Sequence, residues 1–348
     1  MKKIFSALLL AAIAAVPASS QKTPGNFKYY LPKTEVRMSI LVEKTTFTPG
    51  QLADYADIYF KNKSSNTPTV SYRIVGASLT TNGIPDTDKE YNLIIDKKHS
   101  ILSIDCDKNG VLKAINTKGT EEKAIRPFTP TRKPQPLDPH DYMSQDILAS
   151  GNLPKMAQMI AQEIYDIRDS RNQLARGEAE FMPKDGEQLK IMLSQLDTQE
   201  RALMQMFDGT TETDTTETII TFVPKKEMNK IIVFRFSKHF GLTDSDDMSG
   251  KPFYAVINDE NILAEAPSVD EEIKKSKDEL QLGINLPGKI RISITDGSQT
   301  IAALNTYAAQ YGKVELLNGT LFGKKMTSML VLDPTTGNVV SLKTKPLE

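Results

Sequence analysis

The chain is poor in cysteine, in tryptophan and in aromatic residues generally. It has one cysteine and no tryptophan, and aromatic residues make up only 7% of its 348 residues. A single cysteine excludes an intramolecular disulfide, so the core must be large enough to hold the fold without one. Cys106 lies between Asp105 and Asp107, which disfavours a thiolate, and we expect it to point into the core. The lack of tryptophan argues against the flat aromatic platforms that bind sugars.

Neither sign of charge is in excess. Lysine and arginine number 43 against 44 aspartate and glutamate residues, which gives a formal net charge of −1 at pH 7. A balanced surface of this kind has no general attraction for nucleic acid or anionic lipid. We therefore expect no nucleic-acid partner, and after the first twenty residues no apolar run is long enough for a transmembrane segment.

The first twenty residues have the form of a secretory signal peptide. Lys2 and Lys3 precede an apolar stretch from Ile4 to Val16, and small residues follow up to Ser20. The apolar stretch falls short of the ~20 residues that a spanning helix needs. The sequence therefore predicts cleavage after Ser20 and export, to the periplasm or to association with the outer membrane.

The rest of the chain changes periodicity twice. Apolar residues recur at every second position in the N-terminal and C-terminal parts, as in β-strands, and a run of prolines and then a helical pattern lie between them. The sequence predicts an α+β fold, with two β-sandwich-like units joined by a proline-rich linker and an antiparallel helical hairpin. The predicted boundaries are residues 1–20 for the signal peptide, 21–127 for the N-terminal β-rich unit, 128–151 for the linker, 152–209 for the hairpin and 210–348 for the C-terminal β-rich unit.

The helical hairpin has the clearest local pattern. Apolar residues recur every three or four positions before Gly177 and again between Asp185 and Gly209, so Asp185 is expected to cap the second helix. Two interpretations are open. The apolar stripes can pack against the rest of the protein, or the hairpin can be an arm that docks a partner. In the second case four arginines would line its polar face, namely Arg168, Arg171, Arg176 and Arg201.

No motif assigns a catalytic, cofactor-binding or metal-binding residue. The chain lacks a Gly-x-Ser-x-Gly elbow, a His-Glu-x-x-His motif, a phosphate-binding glycine loop and a dinucleotide fingerprint. Two acidic clusters are weak candidates for a cation. The first, Asp105-x-Asp107-x-Asn109-Gly110, has Asn116 where a calcium loop requires glutamate, and an acidic hairpin turn explains every one of its residues. The second comprises Asp244, Asp246 and Asp247. The three histidines, His99, His140 and His239, do not have the spacing of metal ligands.

Several segments of the chain are similar to one family of proteins. Four of them lie in the helical hairpin, namely Ala161–Glu178, Pro183–Leu193, Leu196–Leu203 and Phe207–Gly209; the others are Tyr30–Thr34, Thr48–Ala56, Ala309–Gly312 and Asp333–Gly337. They resemble a family of exported proteins from Bacteroides-type bacteria, the domain of unknown function 4831. The resemblance covers nearly the whole chain after the leader. It implies a location in the cell envelope, and it implies no activity, substrate or catalytic residue.

These observations support a non-catalytic binding or assembly module of the cell envelope, whose partner is another envelope protein or a glycan. The alternative is a glycan- or peptidoglycan-directed hydrolase with an unrecognised carboxylate pair, because such an enzyme needs only two acids facing one cleft. A third hypothesis is an adhesin-like module steadied by calcium at Asp244, Asp246 and Asp247. No cofactor is expected.

Overall fold

The computed structural model describes residues 25–95, 98–121, 127–131, 133, 136–226, 230–267, 280 and 282–346. The predicted signal peptide lies outside these residues. The elements form three antiparallel sheets and one helical hairpin, and the predicted α+β class is confirmed. None of the described helices has the length and apolar character needed to cross a bilayer.

The first sheet is built around one long strand. Strand β1 (Gly25–Thr48) lies between β2 (Thr69–Ile95) and β5 (Thr210–Phe222), and both neighbours run antiparallel to it. Every second residue of its middle part is buried, from Val36 to Val42. The alternation follows from the two-residue period of a strand, and it turns one face of this sheet towards the second sheet.

The second sheet has five strands in the order β10-β9-β8-β6-β7. Their bounds are Lys230–Ser237 for β6, Gly241–Thr243 for β7, Lys251–Leu263 for β8, Leu282–Thr295 for β9 and Thr300–Leu317 for β10. A tight turn at Asp296-Gly297 joins β9 to β10, and Gly297 adopts the positive φ of 96° that such a turn requires.

The third sheet has four strands in the order β12-β11-β4-β3. Their bounds are Ile104–Cys106 for β3, Leu112–Ile115 for β4, Met326–Leu332 for β11 and Val339–Pro346 for β12. Gly110, with φ of 81°, makes the predicted turn between β3 and β4.

The two β-rich stretches share their sheets. Strand β1 pairs with β5, and β4 pairs with β11, so both pairings join the N-terminal and C-terminal parts of the chain. Face-to-face packing of the first and second sheets buries Met38 and Ile40 against Ile290 and Ile292. The first and second sheets therefore pack face to face, as in a sandwich. Strands from the N-terminal and C-terminal parts of the chain are combined in this packing.

The helices lie between β1 and β5 in the chain and form a separate core. Helix α1 spans Ala56–Phe60, α2 Gln145–Leu148, α3 Leu153–Arg176 and α4 Gly186–Asp208. Short 3₁₀ turns cover Ala53–Tyr55, Pro139–Tyr142 and Gly319–Phe322. The predicted hairpin is thus present as α3 and α4, with Gly177 ending α3 in the left-handed conformation and Asp185 capping α4 through the N–H of Gln188.

The proline-rich segment runs from the edge of the first sheet to the base of the hairpin. At its start the backbone N–H of Phe128 donates to Glu217 of β5 at 3.2 Å. At its end Ser144 caps α2, and Ile147 is buried among α3 and α4 residues. The linker is therefore attached at both ends to the elements that it connects.

Candidate functional site

The acidic turn at residues 105–110 is held by its own hydrogen bonds. Asp107 Oδ1 accepts the N–H groups of Asn109 and Val111, each at 2.8 Å, and Asp105 accepts the N–H of Gly119 at 2.8 Å. Asn116 instead ties two segments together, since its amide oxygen accepts the N–H of Leu102 and its amide nitrogen donates to the carbonyl oxygens of residues 100 and 328. The interpretation as a hairpin turn accounts for these side chains.

An arginine fills the loop that carries Asp244, Asp246 and Asp247. Arg235 donates to the carbonyl oxygens of Ser245 at 2.8 Å and of Gly250 at 3.0 Å. Asp247 accepts the N–H of Ser249 at 2.9 Å, and this bond lowers the pKa of Asp247. Across the described ranges, histidine, cysteine and acidic side chains form no group of three that could hold a metal ion.

The remaining titratable candidates are separated from one another. His140 Nδ1 lies 2.8 Å from Asp138 Oδ1 at the surface, and the backbone N–H of His140 lowers the pKa of Asp138. His99 precedes β3, and His239 lies in the turn between β6 and β7. Cys106 packs against the core beneath β3, as expected, and burial together with its two aspartate neighbours raises its pKa to about 12.

Two of the four arginines hold the helices of the hairpin together. Arg168 donates to Glu200 at 2.6 Å, and Arg171 donates to Asp197 at 2.8 Å and to Glu200 at 2.7 Å. Arg168 also lies over the rings of Phe60 and Tyr165. The guanidinium groups of Arg168 and Arg171 thus bind carboxylates of the facing helix, and they stabilise the hairpin itself.

The hairpin is packed at its base and bare at its free end. Its base forms one core with α1, α2 and the neighbouring 3₁₀ turns, and no residue of the described strands belongs to that core. Towards the other end, Phe181 is 82% exposed and Met182, Ile191 and Met192 are exposed as well. We call α3, α4 and residues 177–185 the arm, and these four apolar residues the arm tip. At 1.5 Å per residue, α3 is about 36 Å long.

A cleft of about 840 Å³ runs along one side of α4. Along this side Gly186, Lys190, Leu193, Asp197, Arg201 and Met204 succeed one another at intervals of three or four residues, which places them on one face of the helix. We call these six residues the α4 face. It mixes apolar and charged groups, as surfaces that bind another helix do.

A second cavity, of about 450 Å³, has a hydroxyl-rich lining that includes Thr81, Tyr307 and the turn from Asp333 to Val339. Asp333 Oδ1 accepts the N–H groups of Thr335 and Thr336, so this carboxylate shapes the turn. The cavity lies beside a group of buried polar contacts made by Thr34 and Asn285, which no sequence motif indicated. We call these two residues and their hydrogen-bond partners the polar junction.

The polar junction connects all three sheets. Asn285 of β9 is fully buried, and its amide nitrogen donates to the carbonyl oxygens of Pro32 at 2.9 Å and of Thr336 at 2.8 Å. Thr34 of β1 accepts the N–H of Ala309 and donates to Thr335, while Gln310 binds both backbone groups of Thr34. An asparagine or threonine in a strand has no sequence signal that distinguishes such a role.

Five of the segments that carry the family resemblance meet at two places. Tyr30–Thr34, Ala309–Gly312 and Asp333–Gly337 converge at the polar junction. Thr48–Ala56 and Phe207–Gly209 converge at the base of the arm, where the N–H of Leu52 donates to the carbonyl oxygen of Met206 at 2.7 Å. These five segments therefore lie at the contacts that join the sheets and anchor the arm, and the other three segments lie in the arm itself.

Comparison with known proteins gives one match, to a family of proteins. No curated protein matches the chain, and no solved structure matches it. The family model that does match covers residues 26–340, nearly the whole chain. The chain therefore belongs to the family described as Domain of unknown function (DUF4831).

Proposed function

We propose that the protein is an exported, non-catalytic binding or assembly module of the cell envelope, and that its arm docks a protein partner through the arm tip. Export is inferred from the first twenty residues. The observation that carries the docking role is the exposure of Phe181, Met182, Ile191 and Met192 together at the free end of a hairpin whose base is fully packed.

The energetics favour this interpretation of the arm tip. Each large apolar side chain gains ~1.5–3 kcal/mol when it is fully removed from water. Scattered exposed apolar residues are normal on a protein surface, but contiguous ones mark interaction sites. Here the arm-tip residues belong to the loop and the first two turns of α4, so one partner surface can cover them together.

The carboxylates give less support to the hydrolase alternative. A glycosidase needs one carboxylic acid whose pKa is raised, so that it can protonate the leaving group. In the described part of the chain, the carboxyl groups with shifted pKa all shift downward, because each accepts hydrogen bonds: Glu43, Glu90, Asp138, Glu217, Asp247 and Asp296. In the α4 cleft, both carboxylates are held in ion pairs, since Arg171 binds Asp197 at 2.8 Å and Glu200 at 2.7 Å.

The test compares two double variants of the mature protein in crosslinking pull-downs from its own envelope. Phe181→Ser with Met182→Ser removes part of the arm tip. Phe240→Ser with Met248→Ser is the matched control, since these two residues are 68% and 80% exposed and lie outside the arm. We expect a stoichiometric protein partner for wild type and for the control, and at least about tenfold less of it for the arm-tip variant. Equal recovery with both variants, or recovery of glycan alone, would contradict the proposal.

A further inference from the structure

We propose that the α4 face pairs with the same face of a second copy of this chain, in antiparallel orientation about a two-fold axis. The pairing deepens the proposed function, because it assigns one occupant to the side of the arm whose tip docks an envelope partner. A two-fold interface must be self-complementary, so that residue i of one copy meets residue j of the other and the reverse.

The charges of α4 meet this requirement when the axis passes between Leu193 and Ser194. Lys190 and Asp197 lie equally far from that axis on its two sides, so each Lys190 faces the partner's Asp197. Glu187 and Arg201 lie about seven residues from the axis on opposite sides, and they form the next opposite-charge pair. The register thus creates four ion pairs. Glu200, which is level with the partner's Glu187, lies on the other flank of α4 and is already bound by Arg168 and Arg171.

The angular positions of these four charged residues around α4 are compatible with the same pairing. At 3.6 residues per turn, Glu187, Lys190, Asp197 and Arg201 all fall on the same side of a line through Gly186 and Met204. Antiparallel helices about a two-fold axis bring matching flanks together, and a parallel arrangement would not pair these charges. Leu193 lies nearest the axis and supplies the apolar centre.

The groups concerned are available for such a contact. Lys190 and Glu187 are exposed, and neither makes an ion pair with any residue that the structure describes. The side chain of Asp197 is half exposed while it binds Arg171, so its second oxygen can accept from lysine. No residue of the described strands belongs to the core at the base of the arm. This side of α4 is therefore not covered by a sheet and can contact a second arm.

The first test uses proximity. Ser194→Cys places a thiol beside the proposed axis, and Gln195→Cys places one on the opposite side of α4 as a matched control. With a short bismaleimide, we expect a covalent dimer for Ser194→Cys and none for Gln195→Cys. Wild type serves as the second control, because Cys106 is the only native cysteine and is partly buried against the core of the sheets, away from the arm. A monomeric Ser194→Cys protein, or equal crosslinking of both variants, would overturn the pairing.

The second test uses charge and sedimentation equilibrium of the mature protein. Glu187→Lys alone and Arg201→Glu alone each oppose like charges, and we expect each to raise the dissociation constant of the dimer by about tenfold. The double variant restores opposite charges and should recover most of the affinity. A monomeric wild type, or two single variants without effect, would overturn the register. A wild type that stays monomeric and still retains its envelope partner would reject this inference and leave the docking role of the arm tip standing.

Discussion

Replacing Asn285 tests the polar junction, because one amide there satisfies two carbonyl oxygens from different sheets. In Asn285→Leu a side chain of similar shape fills the space, but Pro32 and Thr336 lose the N–H donors that they have at 2.9 and 2.8 Å. The ladder cannot replace the donor to Pro32, since Pro85 stands opposite it in β2 and proline has no N–H.

The expected cost follows from the two orphaned acceptors. A buried polar group left without its partner costs about 1–3 kcal/mol, so two of them cost about 4 kcal/mol together. For a chain of this length, that loss lowers the melting temperature by about 6 °C. The exposed Asn258 of β8 provides the control, because Asn258→Leu should stay within about 0.5 kcal/mol of wild type.

Asn285→Asp adds a pH dependence with a definite sign. A carboxylate would face two carbonyl oxygens, so only the protonated acid can donate, and its pKa in the folded state rises above the unfolded value of about 3.9. The folded state then holds a proton that the unfolded state has lost. The stability of Asn285→Asp relative to wild type is therefore highest below about pH 4 and falls as the pH rises through the folded pKa.

Thermal unfolding followed by circular dichroism measures both effects. The reasoning predicts a large loss for Asn285→Leu, none for Asn258→Leu, and a deficit for Asn285→Asp that grows from pH 4 to pH 7. A melting temperature for Asn285→Leu equal to that of the control would refute the assignment of Asn285 as the connection between sheets. A deficit for Asn285→Asp that does not change with pH would refute the electrostatic part.

Three further outcomes are expected. Gly83→Ala should destabilise the fold by about 1–3 kcal/mol in the same unfolding assay, because its new methyl group would overlap the carbonyl oxygen of Pro334, and a stable variant would contradict that close approach. The thiol of Cys106, with its pKa raised to about 12, should react with a disulfide reagent at pH 8 much more slowly in the folded than in the unfolded protein, and equal rates would show that it is accessible and ionised. Millimolar calcium should leave the melting temperature unchanged, because Arg235 already occupies the loop of Asp244, and an upward shift would revive the calcium hypothesis.

Local patterns in the sequence were sufficient to predict the arm. The spacing of apolar residues, the cap at Asp185 and the glycines at 177 and 209 all act within one helix, and α3 and α4 begin and end within a residue or two of the expected positions. The same holds for the hairpin turn at Gly110, where a positive φ favours glycine.

Strand partners and the polar contacts could not be predicted in the same way. The pairing of β1 with β5 joins residues more than a hundred positions apart, and periodicity reports which face of a strand is buried but not which strand lies beside it. The roles of Arg168, Arg171 and Asn285 depend on residues far along the chain or on the other helix. A side chain that binds such partners looks, in the sequence, like any other polar residue.

The most direct test of the docking role is site-specific photocrosslinking in living cells. A photoreactive phenylalanine analogue is placed at Phe181 in the arm tip, or at Phe240 as an exposed control outside the arm. The account predicts one discrete protein adduct from position 181 and none from position 240. Absence of an adduct from position 181, or the same adducts from both positions, would contradict it.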